Sequence, residues 1–347
     1  MVVFRSPQAS QTTFSAVVGQ GTTMDVQISD ACGNLVGPGG QDAKVTASFS
    51  NSDSAQMTHI GSGIWQGTWK PVNPGTVTMF VTAFAVQNGN LLAGKSSTLT
   101  AVVKGAVTPT VTQQGVVHAA SDIGGVPIAP GGLITIYGQN LADGAGSSSA
   151  LPLPQQLNGT QVMLGNLPLP ILYTSPLQLN VHVPYGVPLG QQYQLTVQRG
   201  NTSSVPQSLV VAAAQPGIFT VNQLGAGQGS IVKSDGVTLA LPGTPANIGE
   251  TVVIYCTGLG AVTPKVAEGV PPPSVPRLST TDNPVTVTIG GKSATVIFAG
   301  LTPGDPGLCQ INAVVPSGIV TGDAVPVVIS VAGQTSPISP AVTMAVK

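Results

Sequence analysis

Residues 133–141 (LITIYGQNL) recur as residues 251–259 (TVVIYCTGL), and this duplication constrains the fold more than any other feature of the chain. It continues in order. Val162 to Tyr173 aligns without gaps with Val287 to Phe298. Gln178-Leu179-Asn180-Val181-His182-Val183-Pro184 then aligns with Gln310-Ile311-Asn312-Ala313-Val314-Val315-Pro316. The register holds through Gly190 and Gly322 to Leu195–Val197 and Val327–Ile329. The matched runs are short, rich in Val, Ile, Leu and Thr, and bounded by turn residues, which is the pattern of strands. Two related β-sandwiches are expected, 114–213 and 214–347. The second carries a Pro-rich insertion, Val270 to Pro276, and an extra loop, Ala299 to Gly307.

Upstream of the repeat, about Val2 to Ala106 reads as seven short strands: Phe14–Val18, Thr23–Ile28, Ala43–Phe49, Gln56–Ile60, Ile64–Trp69, Val77–Ala85 and Ser97–Val103. Every second side chain is apolar in Met24-Asp25-Val26-Gln27-Ile28 and in Val45-Thr46-Ala47-Ser48-Phe49, the period of a half-buried strand. Turn clusters fall between them at Asp30-Ala31-Cys32-Gly33-Asn34, Gly61-Ser62-Gly63 and Asn73-Pro74-Gly75. This spacing describes an immunoglobulin-like sandwich. The fold class expected is therefore all-β. Three serial immunoglobulin-like sandwiches lie at 1–106, 114–213 and 214–347, and 107–113, rich in Thr, Val and Pro, is an extended linker.

Composition narrows the function. Of 347 residues only 11 are Lys or Arg and 12 Asp or Glu, with a net charge of −1, against roughly 25% charged residues in an average domain. No cation occurs between Lys104 and Arg199, which excludes a basic nucleic-acid face. The longest apolar runs, such as Leu209 to Ala214, are far shorter than the ~20 residues of a membrane span. Gly (44) and Pro (30) interrupt the chain too often for long helices. Met1 to Gly19 holds one Arg and no continuous apolar stretch, so a secretory leader is not expected within it.

Several motifs in fixed order within 114–347 carry a family resemblance. They are Pro130-Gly131-Gly132 leading into Ile134 to Gly138, Gln178-Leu179-Asn180, Val183-Pro184, Gln215-Pro216-Gly217-Ile218-Phe219, Tyr255 to Gly260, and Gly322 to Val327. Together they resemble the C-terminal module of Solibacter-type acidobacterial proteins, and each half resembles an immunoglobulin-like sandwich of the IPT/TIG type. Asp30 to Asn34 followed by Phe49-Ser50-Asn51 is similar to the bacterial Ig-like domain that precedes such modules. The resemblance implies a secreted or cell-surface multidomain protein, with the module appended in some members to propellers or hydrolases. It implies no particular activity, and fold analogy assigns none.

Candidate chemistry is sparse. Cys256 and Cys309 stand where the first copy has Gly138 and Leu177. Replacement of both positions in one copy points to a disulfide between neighbouring strands, against two independent buried thiols. Such a bridge closes a loop of about 54 residues and contributes roughly 4 kcal/mol. Cys32 sits in a turn with no evident partner. His118 and Asp122 are close in sequence, and His182 shares strand parity with Gln178 and Asn180. These three are the acid–base candidates, although proximity in sequence is not a triad. The amides, which recur as Gln310 and Asn312, are expected to satisfy backbone groups at a strand end. Asp30, Asn34 and Asp42 bracket a loop that could supply calcium ligands, and Asp305 with Asp323 offers a weaker set. Asp30 and Asn34 could equally fix an Asx turn. No zinc spacing or nucleophile elbow occurs. Trp65 and Trp69 share a strand face, as either core or a sugar-stacking platform.

Three functions are compatible with these features. The first is an extracellular non-catalytic module, structural, adhesive or ligand-binding, whose partners are further domains of a longer chain or a surface ligand. The second is a secreted hydrolase of a small ester or lactone, with calcium as its candidate metal. The third is a carbohydrate-binding module.

Overall fold

The computed structural model describes residues 1–7, 11–38, 43–87, 90–275 and 277–347, and all regular structure among them is β-strand. They divide into two compact units, Met1–Val107 and Thr108–Lys347.

The first unit is a sandwich. One sheet has four strands in the order Val2–Ser6, Thr22–Ile28, Ile64–Trp69 and Thr58–Gly61. The other has six, in the order Thr13–Val17, Leu99–Lys104, Gly75–Gln87, Lys44–Phe49 and Ser54–Gln56, with Asn90–Lys95 also on Gly75–Gln87. The alternation read from the sequence sets the core: Met24, Val26 and Ile28 face Val45, Ala47 and Phe49 within one buried cluster. Two differences from expectation stand out. The run Gln56–Ile60 is split, because the chain passes from one sheet to the other at buried Met57. Val2–Ser6 and Asn90–Lys95 are additional strands whose positions depend on their partners rather than on their own alternation.

The second unit contains both copies of the repeat, so the two sandwiches form one compact body. The linker is shorter than expected, since Thr110–His118 is a strand paired with Leu133–Gln139 from Thr110 onward. Equivalent residues of the copies pair identically: Tyr137 opposes Gln178 and Tyr255 opposes Gln310; Met163 opposes Pro168 and Thr288 opposes Ser293; Val162 opposes Val197 and Val287 opposes Ile329. In the second copy the strand Lys292–Leu301 is long enough to pair with Val285–Ile289 at one end and with Cys309–Val314 at the other, so its two layers are continuous.

One device recurs in the first unit and in both copies of the repeat. A buried serine brackets a backbone position of the neighbouring strand, its Oγ accepting from that residue's N–H while its own N–H donates back to the same residue's carbonyl. The pairs are Ser96 with Val81, Ser204 with Val197 and Ser336 with Ile329, at 2.9, 3.0 and 3.0 Å for the hydroxyl bond. Removing the hydroxyl leaves a buried N–H without a partner, which costs about 1–3 kcal/mol. Ser336→Ala is accordingly expected to lower the unfolding free energy of the second unit by about that amount in urea titrations. An unchanged midpoint would refute this bracket role.

Candidate functional site

The strands Thr110–His118, Leu133–Gln139 and Gln178–His182 are neighbours in one sheet, which pairs His118 with Ile134 and His182 with Leu133. Both histidines thus arrive at one end of the sheet, where it meets the second sandwich. Leu133 N–H donates to Thr257 Oγ1 at 3.0 Å, and that hydroxyl donates to the carbonyl of Gly307 at 2.8 Å. One fully buried hydroxyl therefore joins three segments from both copies.

Glycines make room for the rings. A Cβ on Gly258 would lie 1.9 Å from the Gln215 carbonyl oxygen and 3.0 Å from His118 Nε2, and one on Gly217 would lie 2.3 Å from His118 Cε1. A Cβ on Gly307 would stand 2.8 Å from His182 Cδ2 and 2.5 Å from Leu133 Cδ2. Gly269, just before the insertion, and the extra loop of the second copy both reach the first: Leu153 N–H donates to Gly269 O at 2.8 Å, and Gly307 carries the contact to His182.

His118 and His182 are 5% and 1% exposed. His118 Nδ1 accepts from Ala120 N–H and Ser121 N–H, each at 3.3 Å, which places the proton on Nε2. Nε2 is turned toward the Gln215 backbone, in contact but short of a hydrogen bond of ordinary geometry. Burial pushes His118 down to about 4, opposed by the Gln215 backbone. Burial alone pushes His182 to about 4, and neither of its nitrogens has a protein partner; its ring meets Tyr185 edge-on at 5.3 Å. Both rings are neutral at neutral pH and form packing surface between the sandwiches.

The sheet face that carries His182 opens beyond the seam into a cleft of about 510 Å³, whose lining includes Asp122, Tyr137, Gln178, Asn180 and Phe219. Of the acid–base candidates, the structure brings only Asp122 to this cleft. Asp122 stands beside Tyr137, whose pKa is raised by burial first and by the Asp122 charge second. The amides do not satisfy backbone groups as expected. Gln178 Nε2 donates to Asn180 Oδ1 at 2.9 Å instead. Tyr137, Phe219, Thr257 and Gly258 are absent from the sequence-based candidates. The signal for Tyr137 was available, since Tyr255 repeats it next to the repeated amides.

Other sequence candidates resolve differently. Trp65 and Trp69 are buried in the first unit and are not a stacking platform. Trp65 Nε1 donates to Val36 O at 3.1 Å, Trp69 Nε1 donates to Asp53 Oδ2 at 2.8 Å, and Trp69 stacks on Phe49. Asp30 caps a turn: Oδ1 accepts from Cys32 N–H at 2.8 Å and Asn34 N–H at 2.9 Å, while Oδ2 accepts from the Asn34 amide at 2.9 Å. Asp42 lies outside the described residues. Among the described residues no three His, Cys, Asp or Glu side chains cluster as metal ligands.

Cys256 and Cys309 oppose each other across two strands, yet both are free thiols, as is exposed Cys32. The reason lies in the backbone. Phe219 N–H donates to Tyr255 O and Thr302 N–H to Leu308 O, which leaves the polar groups of Cys256 and Cys309 facing each other as a hydrogen-bonded pair. The Cβ atoms of such a pair stand nearer 5.5 Å apart than the ~3.8 Å of a disulfide. Burial raises both thiols, Cys309 to about 12.

Residues 123–211 match the IPT/TIG domain family. Comparison with curated proteins finds no match. Among solved structures, the chain is similar to the Bacteroides ovatus mixed-linkage glucan utilization locus protein SGBP-B, described in complex with a mixed-linkage heptasaccharide. The identity is 13%, with 100% of this chain and 70% of that chain covered and a TM-score of 0.30. It is also similar to a DUF4785 family protein from Legionella pneumophila, at 7% identity, 57% and 52% coverage and a TM-score of 0.23.

Two outcomes follow from the buried groups. The unfolded chain protonates each histidine near 6.5, whereas the folded chain does so only near 4. Between these values the unfolded state binds more protons, so stability is lost as pH falls from about 6.5 to 4, by roughly 3 kcal/mol per histidine. Urea titrations at several pH values should show this slope, and His182→Leu should remove about half of it. In a thiol titration, one cysteine should react in the native protein and three in denaturant without reductant; a count of one in denaturant would establish the disulfide.

Proposed function

We propose that the chain is a non-catalytic binding or structural module of an extracellular or cell-surface protein. The observation that carries this reading is the placement of His118 and His182. His118 and His182 are buried where one sandwich meets the other, and neither lines the cleft. The carboxylate of Asp122 stands beside a tyrosine hydroxyl, and among the described residues no imidazole lines the cleft with it. General acid–base catalysis needs a group of suitable pKa within reach of the reacting atoms.

The IPT/TIG match supports a modular role, as does the resemblance of 114–347 to Solibacter-type C-terminal modules. An extracellular setting is supported by the same resemblance and by a surface built from neutral polar side chains. No helix among the described residues is long and apolar enough to cross a membrane.

A panel of ester, lactone and glycoside substrates, assayed with calcium and with chelator, tests the reading. No turnover above the buffer rate is expected. Turnover that survives purification and disappears in Asp122→Asn would overturn it.

A further inference from the structure

We infer that the outer faces of the two repeated strand pairs form a two-subsite groove for a neutral, polyhydroxylated chain such as an oligosaccharide. This deepens the binding reading above and rests on it. The first subsite is the cleft at Tyr137, Gln178 and Asn180. A second cleft of about 340 Å³ adjoins it, lined by Phe219, Ser230, Tyr255, Thr302, Asp305 and Leu308. Phe219 and Ser230 line both, so the clefts share a wall. Each volume falls in the range of small-ligand sites, ~300–1,000 Å³. Two adjoining clefts suit a ligand with repeating units.

The chemistry repeats with the fold. Tyr137 opposes Gln178 and Thr135 opposes Asn180; in the second copy Tyr255 opposes Gln310 and Val253 opposes Asn312. The amides are joined the same way, Gln178 Nε2 to Asn180 Oδ1 at 2.9 Å and Gln310 Nε2 to Asn312 Oδ1 at 3.4 Å. In the first cleft this bond uses one acceptor and one donor, leaving the Gln178 carbonyl oxygen and the Asn180 NH₂ to meet a ligand's hydroxyl groups, while Gln310 shares with Tyr255 the strand face that adjoins the second cleft. Thr302 Oγ1, in the wall of the second cleft, is buried without a protein partner. Aromatic faces cover the apolar C–H face of a sugar ring, while amides and a carboxylate take its hydroxyls. No Lys or Arg lines either cleft. Polyanions, nucleic acids included, therefore lack the cations they need here.

The test is calorimetric titration of the full chain with neutral hexasaccharides of glucose, xylose and mannose in both anomeric linkages, alongside a Pro-rich decapeptide. At least one oligosaccharide is expected to bind, with affinity about tenfold weaker in Tyr137→Ala and in Tyr255→Ala. Tyr137→Phe, which keeps the ring and loses only the hydroxyl, guards against misfolding and should retain most of the affinity. Gln192→Ala, on the other sheet of the first copy, should bind as the parent does. Failure of every saccharide to bind, binding insensitive to both tyrosines, or peptide binding alone would overturn the inference. Turnover of a saccharide would overturn the non-catalytic reading while leaving the groove in place, so the two failures are distinguishable.

Discussion

The second unit depends on how two sandwich ends, each a row of backbone groups, can be pressed together without stranding polar atoms. A buried amide or carbonyl without a partner costs about as much as a hydrogen bond is worth, often more. The hydroxyl of Thr257 resolves the problem at the centre of the seam, accepting from Leu133 N–H and donating to the Gly307 carbonyl. Close approach is then possible only where side chains are missing. Gly258, at φ +81°, is the clearest case. Its missing Cβ lies within 1.9 Å of the Gln215 carbonyl oxygen, so any other residue would force the backbones apart. The equivalent residue in the first copy is Asn140, also at positive φ. Asn tolerates that conformation, but the seam requires Gly.

This explains how the copies diverged. The Pro-rich insertion and the extra loop look like irregular additions when the copies are aligned. In three dimensions the second sandwich grips the first through Gly269, where the insertion begins, against Leu153, and through Gly307 of the extra loop against Leu133 and His182. His182, which meets Gly307 of the extra loop, aligns with Val314. A domain duplicated in tandem has two free ends that were once identical, and the differences here accumulate where those ends meet.

The all-β class, the repeat and its register were legible because they are periodic. Alternation in Thr22–Ile28 and Lys44–Phe49 reports a buried face directly, and matched residues such as Tyr137 and Tyr255 pair as their alignment implies. What was not legible depends on contacts between parts remote in sequence. The seam is the main instance: nothing local to His118 indicates that Gly217 and Gly258 will receive it. The cysteines show the same limit at a finer scale. Their opposition across two strands could be read, but whether that pair is the wide or the narrow kind depends on hydrogen bonds made by Tyr255 and Leu308 to other strands. The tryptophans were ambiguous for the same reason, since strand parity places two side chains on one face without saying which face is covered.

The identities within the repeat bear on the groove. On the inward face the copies vary freely among apolar residues, with Ile134 against Val252, Leu179 against Ile311 and Val181 against Ala313, as cores tolerate when volume is compensated. The outward face is the more permissive one, because solvent accepts almost any polar residue at little cost. Yet Tyr137 and Tyr255, Gln178 and Gln310, and Asn180 and Asn312 are identical. Folding alone places no such demand on positions that are half exposed. The amide–amide bond could account for the Gln and Asn, although at 3.4 Å in the second copy it is a weak constraint. It does not account for the tyrosines. A ligand lying along the inferred groove would give all three pairs a common partner.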